Sequence, residues 1–165
     1  MITRATNSIL VLAVALAATS CHSQPKPMDL EKATKVVEFA EEIFTKLKGT
    51  PKKHTVEKVQ NAHVEGQIDE WHTIEYPGIK LKYYRVVPEK RNMLSTLELT
   101  SSNYVLPFGI KLGNSRESIV SILGKPSTSG PDAIEYECGD PYSQTVSFEF
   151  KNGCLSAVEW NNEID

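Results

Sequence analysis

The stretch that decides the fold runs from Phe108 to Trp160: F-G-I-K-L-G-N-S-R-E-S-I-V-S-I-L-G-K-P (108–126), I-E-Y-E-C (134–138) and T-V-S-F-E-F-K-N-G-C-L-S-A-V-E-W (145–160). It reads as one helix followed by three strands. Asn114 or Ser115 supplies a short side-chain oxygen that caps a helix by accepting an orphan backbone N–H. Ile119, Ile122 and Leu123 are spaced to share one face. Gly124 suits the left-handed position that ends a helix, and Pro126 cannot continue one. The period then changes to two. Ile134 and Tyr136 alternate with Glu135 and Glu137, and Val146, Phe148 and Phe150 alternate with Ser147 and Glu149, the pattern of strands with one buried face. Asn152-Gly153 is a two-residue hairpin turn, since both residues tolerate positive φ.

Working upstream, the middle of the chain reads as a worn copy of its end. Ile74-Glu75-Tyr76 recurs 60 residues on as Ile134-Glu135-Tyr136. Leu94-Ser95-x-x-Glu98 recurs 61 residues on as Leu155-Ser156-x-x-Glu159, and Val59 maps to Val120 at the same interval. A constant offset is the mark of a repeat. The copy predicts a short helix over Thr55 to Ala62, strands near Trp71–Tyr76, Ile79–Val87 and Met93–Thr100, and a longer hairpin over Pro88–Asn92. Before it, Leu30, Ala33, Val37, Ala40, Phe44 and Leu47 recur at steps of three and four. That stripe predicts an amphipathic helix capped by Asp29 and stopped by Gly49 and Pro51. The expected fold is α+β: two tandem αβββ units forming an antiparallel sheet with helices on one face, preceded by the long N-terminal helix. The expected boundaries are 29–50 for that helix, 51–106 for the first unit and 107–165 for the second.

The first residues have a different character. Arg4 precedes an unbroken apolar run from Ile9 to Ala18, too short to span a bilayer, and 1–20 reads as a signal peptide. Ala18-Thr19-Ser20-Cys21 resembles a lipobox, with Ala18 where leucine is usual. That resemblance implies cleavage before Cys21 and lipidation of its thiol; ordinary cleavage after Ala17 or Ser20 is the alternative. His22 follows the cysteine, so by analogy with the enterobacterial sorting rule the protein goes to the outer membrane. Residues 21–28 then read as lipidated cysteine and tether.

The run G-I-x-L-G-x-S-x-x-x-I-x-x-x-L-G-x-P, followed by a strand and V-x-F-x-F-x-N-G-x-L-x-x-V-E, resembles the SmpA/OmlA (BamE) outer-membrane lipoprotein family and the wider group with the β-lactamase-inhibitor-protein fold. The residues that carry it are Gly109, Gly113, Ser115, Val120, Leu123, Gly124, Pro126, Phe148, Phe150, Asn152, Gly153, Leu155 and Val158. The resemblance implies a non-catalytic, periplasm-facing lipoprotein that binds other envelope proteins and supports outer-membrane assembly. An alternative class is an inhibitor or immunity protein that blocks a periplasmic or secreted hydrolase through its sheet face, as the two-unit β-lactamase inhibitor does.

The formal charge of −3 offers no basic footprint for nucleic acid. No nucleophile-elbow, P-loop, H-E-x-x-H or S-x-x-K pattern is present, so the sequence implies no enzyme, cofactor or small-molecule substrate. His54, His63 and His72 lie near Glu65, Asp69 and Glu70, but their spacing matches no ligand motif, and they read as surface residues. In a meander, Cys138 and Cys154 fall at opposite ends of the middle strand, about 20 Å apart at ~3.3 Å per residue, and read as two unpaired, largely buried thiols. Glu75, Glu98, Glu135, Glu137, Glu149 and Glu159 fall between apolar neighbours. Period two sends most of them, with Lys80 and Lys82, to the open sheet face; Leu155 and Val158 are three apart, so the last strand breaks strict alternation and leaves the facing of Glu159 open. Glu75, Glu135, Glu137 and Glu149 are the candidate contacts for a basic partner; a solvated face kept polar for solubility is the plainer reading.

Overall fold

The computed structural model describes residues 26–139 and 143–164. The expectations for the signal peptide, Cys21 and its lipid lie outside the described residues. Helix α1 spans Leu30–Lys46, and the Asp29 carboxylate accepts the Lys32 N–H as its cap. Its buried stripe is Ala33, Val36, Val37, Ala40 and Ile43. That is rotated from the expected stripe: Leu30 is exposed, while Val36 and Ile43 are buried.

Eight strands follow: β1 (Lys53–Gln60), β2 (Ile68–Tyr76), β3 (Ile79–Val86), β4 (Arg91–Leu99), then helix α2 (Arg116–Leu123), β5 (Thr128–Ser129), β6 (Ala133–Cys138), β7 (Gln144–Lys151) and β8 (Cys154–Asn162). They form one antiparallel sheet in the order β1-β2-β3-β4-β8-β7-β6-β5. The α+β class and the antiparallel sheet are as the sequence suggested. The helix expected over Thr55 to Ala62 is instead the edge strand β1, whose residues are almost all exposed. Val56 and Val59 stand three apart, which imitates a helix face.

Ser115 caps α2 by accepting the Ser118 N–H. Gly124 ends it at φ +79, and a Cβ there would lie 2.2 Å from the Pro27 carbonyl oxygen. The close approach belongs to a short strap: Asp29 N–H donates to Leu123 O and Lys125 N–H to Lys26 O, each at 2.8 Å. The last residues of the expected tether are therefore part of the fold. Asn152 and Gly153 both have positive φ, as a primed two-residue turn requires.

The core lies between the helices and one sheet face. Phe148, Tyr136 and Trp160 are fully buried, each worth roughly 2–3 kcal/mol of hydrophobic transfer. The polar tips of the last two are satisfied: Tyr136 OH donates to Gly124 O at 2.8 Å, and Trp160 Nε1–H donates to Val36 O at 2.9 Å. The second bond fixes α1 over β8.

Two bulges set which residues face the core. In the β3–β4 pair Lys82 meets Thr96 and Tyr83 meets Leu94, leaving Ser95 over. In the β7–β8 pair Glu149 meets Ala157 and Phe150 meets Leu155, leaving Ser156 over. An extra residue lets Leu94 and Leu97, and likewise Leu155 and Val158, point inward although each pair is three apart. The carbonyls at the bulges are satisfied differently: Leu94 O accepts from Asn162 Nδ2 at 3.1 Å, and Leu155 O accepts from Gly113 N–H at 2.9 Å.

Candidate functional site: the open sheet face

The face away from the helices carries the charge. One row of directly opposed residues crosses every strand: Lys53, Glu75, Lys80, Glu98, Glu159, Ser147, Glu135 and Thr128. On the β1–β4 side the signs alternate; on the β8–β5 side every charge is negative. The next row runs Thr55, Thr73, Lys82, Thr96, Asn161, Thr145, Glu137. Glu149 stands opposite Ala133 and Ala157 on the same face. The structure thus places Glu75, Glu135, Glu137 and Glu149 on the open face and gathers Glu98 and Glu159 between them. The facing of Glu159, open from sequence because Leu155 and Val158 break alternation, is decided by the Ser156 bulge.

Glu98 and Glu159 oppose one another where the β4–β8 ladder joins the two halves of the sheet. Like charges directly opposite repel. Partial burial of its carboxyl pushes the Glu159 pKa up, and Glu149, Glu98 and Glu135 add to the rise against some relief from Lys80. Among the described residues, the ion pair on this face is Lys53–Glu75, 3.8 Å apart; Lys80 and the other glutamates of the central row have none. Beside the seam lies a depression of about 420 Å³ walled by Thr55, Glu57, Trp71, Thr73, Lys80, Lys82, Thr96, Glu98 and Glu159. Lys82 Nζ sits 4.3 Å from the centre of the Trp71 ring, a cation–π pair. Trp71 and Glu57 were missed from sequence. Trp71 is an outward aromatic in a strand of mixed burial, and Glu57 lies in the segment misread as helix.

One end of the face is closed by the 61–67 connection, which folds over Asp69. Burial works against the Asp69 charge. Hydrogen bonds from Asn61, the Val87 N–H, Gln67 and Tyr84 override it and hold the carboxyl well below the usual carboxylate range. Asp69 is a structural anion, saturated with donors. His63 is remote from the other two histidines, in a cleft with Arg91 and Asn162. Among the described residues no three His, Cys, Asp or Glu side chains stand together as metal ligands. Cys138 and Cys154 are both free; Cys138 is buried, but Cys154 is exposed, beside the Asn152-Gly153 turn. The sequence reading of two largely buried thiols is corrected at Cys154, since among the described residues no element covers its outward position in β8.

Comparison with protein-family models, curated proteins and solved structures finds no match to this chain.

Proposed function

We propose that the chain is a non-catalytic protein-binding module of the cell envelope, lipid-anchored through Cys21 at the periplasmic side of the outer membrane, of the assembly or integrity-factor type. The partner docks on the open sheet face. The observation that carries this reading is the Glu98–Glu159 opposition at the centre of a face whose central row bears no cation on its β8–β5 side. A partner segment bearing lysine or arginine relieves that repulsion, and charge complementarity of this kind steers and registers a docking surface. The resemblance of 109–158 to the SmpA/OmlA family supports the same class.

A second reading, an inhibitor or immunity protein against a periplasmic or secreted hydrolase, is favoured by the depression beside Trp71, which suits a protruding loop.

We also read the chain as two tandem units, α1 with β1–β4 and α2 with β5–β8. The supports are the mirrored strand order, the two bulges at residues 61 apart, and the pairing of Glu98 with its counterpart Glu159. Each unit then has four strands, one more than the sequence suggested.

The test is capture from solubilised envelope membranes by the purified protein, wild type against the Glu98→Lys/Glu159→Lys variant, with circular dichroism to confirm that both are folded. Barrel-assembly proteins in the eluate are expected, and their capture should fall at least about tenfold with the charge reversal. A single hydrolase or toxin instead selects the second reading. Capture unaffected by the reversal removes the open face as the docking site.

A further inference from the structure

The free edge of the sheet is held by a cluster that the open face does not use. On the inner face, His54 of β1 and His72 of β2 meet Nε2 to Nδ1 at 2.8 Å. Glu70 Oε2 lies 3.0 Å from the other nitrogen of His72. His72 is 4% exposed and stacks on Tyr83, with ring centroids 4.6 Å apart and planes within 8°. Phe44 of α1 packs against Tyr83 in turn. His54 is exposed.

The proton order follows from which atoms can accept. An ionised carboxylate only accepts, so His72 donates to Glu70 from Nε2. Neutral His72 then offers a lone pair at Nδ1, and the His54 Nε2–H donates to it. One added proton is accommodated on His54 Nδ1 and leaves that bond in place. A second is not. With both rings charged all four nitrogens carry hydrogen, none accepts, and two cations stand with their centroids 5.1 Å apart.

We propose that the His54–His72 pair is a proton-operated latch on the edge strand: it fastens β1 to β2 while the pair holds at most one positive charge, and lets β1 go when both rings are protonated. Among the described residues β1 has no neighbour in the sheet except β2, so no other ladder there holds it. The ionisable groups around the pair are Glu70, Lys58 and Arg85, which oppose Glu70 from β1 and β3, and Tyr76 and Tyr83 on the same face. Histidine is the side-chain type whose ordinary charge change falls between about pH 5 and 8. Thr55 and Glu57 of β1 wall the depression on the other side of the sheet, so a released β1 opens that site on one flank. This consequence, though not the latch itself, rests on the reading of the open face given above.

Amide hydrogen exchange of the full chain between about pH 7.5 and about pH 5 tests it, with rates corrected for intrinsic exchange. Protection of the β1 amides bonded to β2, taken relative to those of β7, is expected to fall at least about tenfold across that range. In His54→Gln the side-chain amide still donates to His72 Nδ1 but takes up no proton, and the ratio should stay constant within about twofold. A constant ratio in the wild type, or an equal fall in His54→Gln, overturns the latch. Failure of the open-face reading shows only in the capture experiment and leaves this exchange result unchanged.

Discussion

Glu159 shows how one residue ties stability to recognition. Its folded pKa is raised, first by burial and then by the surrounding glutamates. A raised carboxyl pKa means that the native state resists the charge. Stability is therefore fullest where Glu159 is protonated and is lost as pH rises through its folded value. Glu159→Gln should accordingly stabilise the protein at pH 7, by about 0.5 kcal/mol given the solvent screening of an exposed site. Below about pH 4 the gain should vanish, since the wild-type carboxyl is then neutral too. Urea midpoints of both proteins at the two pH values measure this. Equal midpoints at pH 7 would mean that the cross-seam repulsion is negligible. The same substitution removes half of the acidic pair proposed to receive a partner's cation, so gain in stability and loss in binding should appear together.

At the scale of elements, the bulges do what alternation alone cannot. Ser156 has no register partner in β7, where its hydroxyl donates to Glu149 O at 3.1 Å, and its backbone length keeps both Leu155 and Val158 in the core. Deleting Ser156 puts one side of β8 out of phase: either Leu155 turns outward, or Val158 and Trp160 do. Loss of cooperative folding is expected, seen as loss of near-ultraviolet dichroism, because a flip of Trp160 alone removes a fully buried ring and typically costs about 3–5 kcal/mol. Ser156→Ala keeps the backbone length and should shift stability by no more than about 1 kcal/mol. A folded deletion variant would show that the bulge is incidental. Where these elements were legible in the sequence, a physical period made them so. Val146, Phe148 and Phe150 announce β7 because one side of that strand is dry. β1 was read as helix because it is wet on both sides and edged by solvent, so burial imprints no alternation on it. The Leu94-Ser95 and Leu155-Ser156 echoes were visible as a repeat, but not as bulges, since a leftover residue is defined by the partner strand.

At the scale of the whole molecule, local patterns gave the faces of the sheet but not its order. The β4–β8 pairing joins residues about sixty apart in the chain, and no period in either strand encodes it. Hence Glu98 falls to the open face by alternation, but the facing of Glu159 and its direct opposition to Glu98 were out of reach, and Trp71 and Glu57 were missed as walls of the same depression. The anchoring proposal also belongs to this scale. Cys21→Ser should move the processed protein from the membrane to the soluble periplasmic fraction, because acyl chains supply about 0.8 kcal/mol of membrane affinity per buried methylene. Fractionation followed by immunoblotting reads it, and continued membrane association of a correctly processed variant would discount the lipid as anchor.

The strap of residues 26–29 across the end of α2 has a mechanical meaning. Tension applied to the chain ahead of Lys26 does not first reach α1. It is taken up by the Lys26–Lys125 and Asp29–Leu123 backbone bonds and passes through Gly124 and the Tyr136 hydroxyl into β6. While those bonds hold, a pull from that end loads the half of the sheet farther along the chain. The edge strand β1 and its histidine pair stay off the line of force.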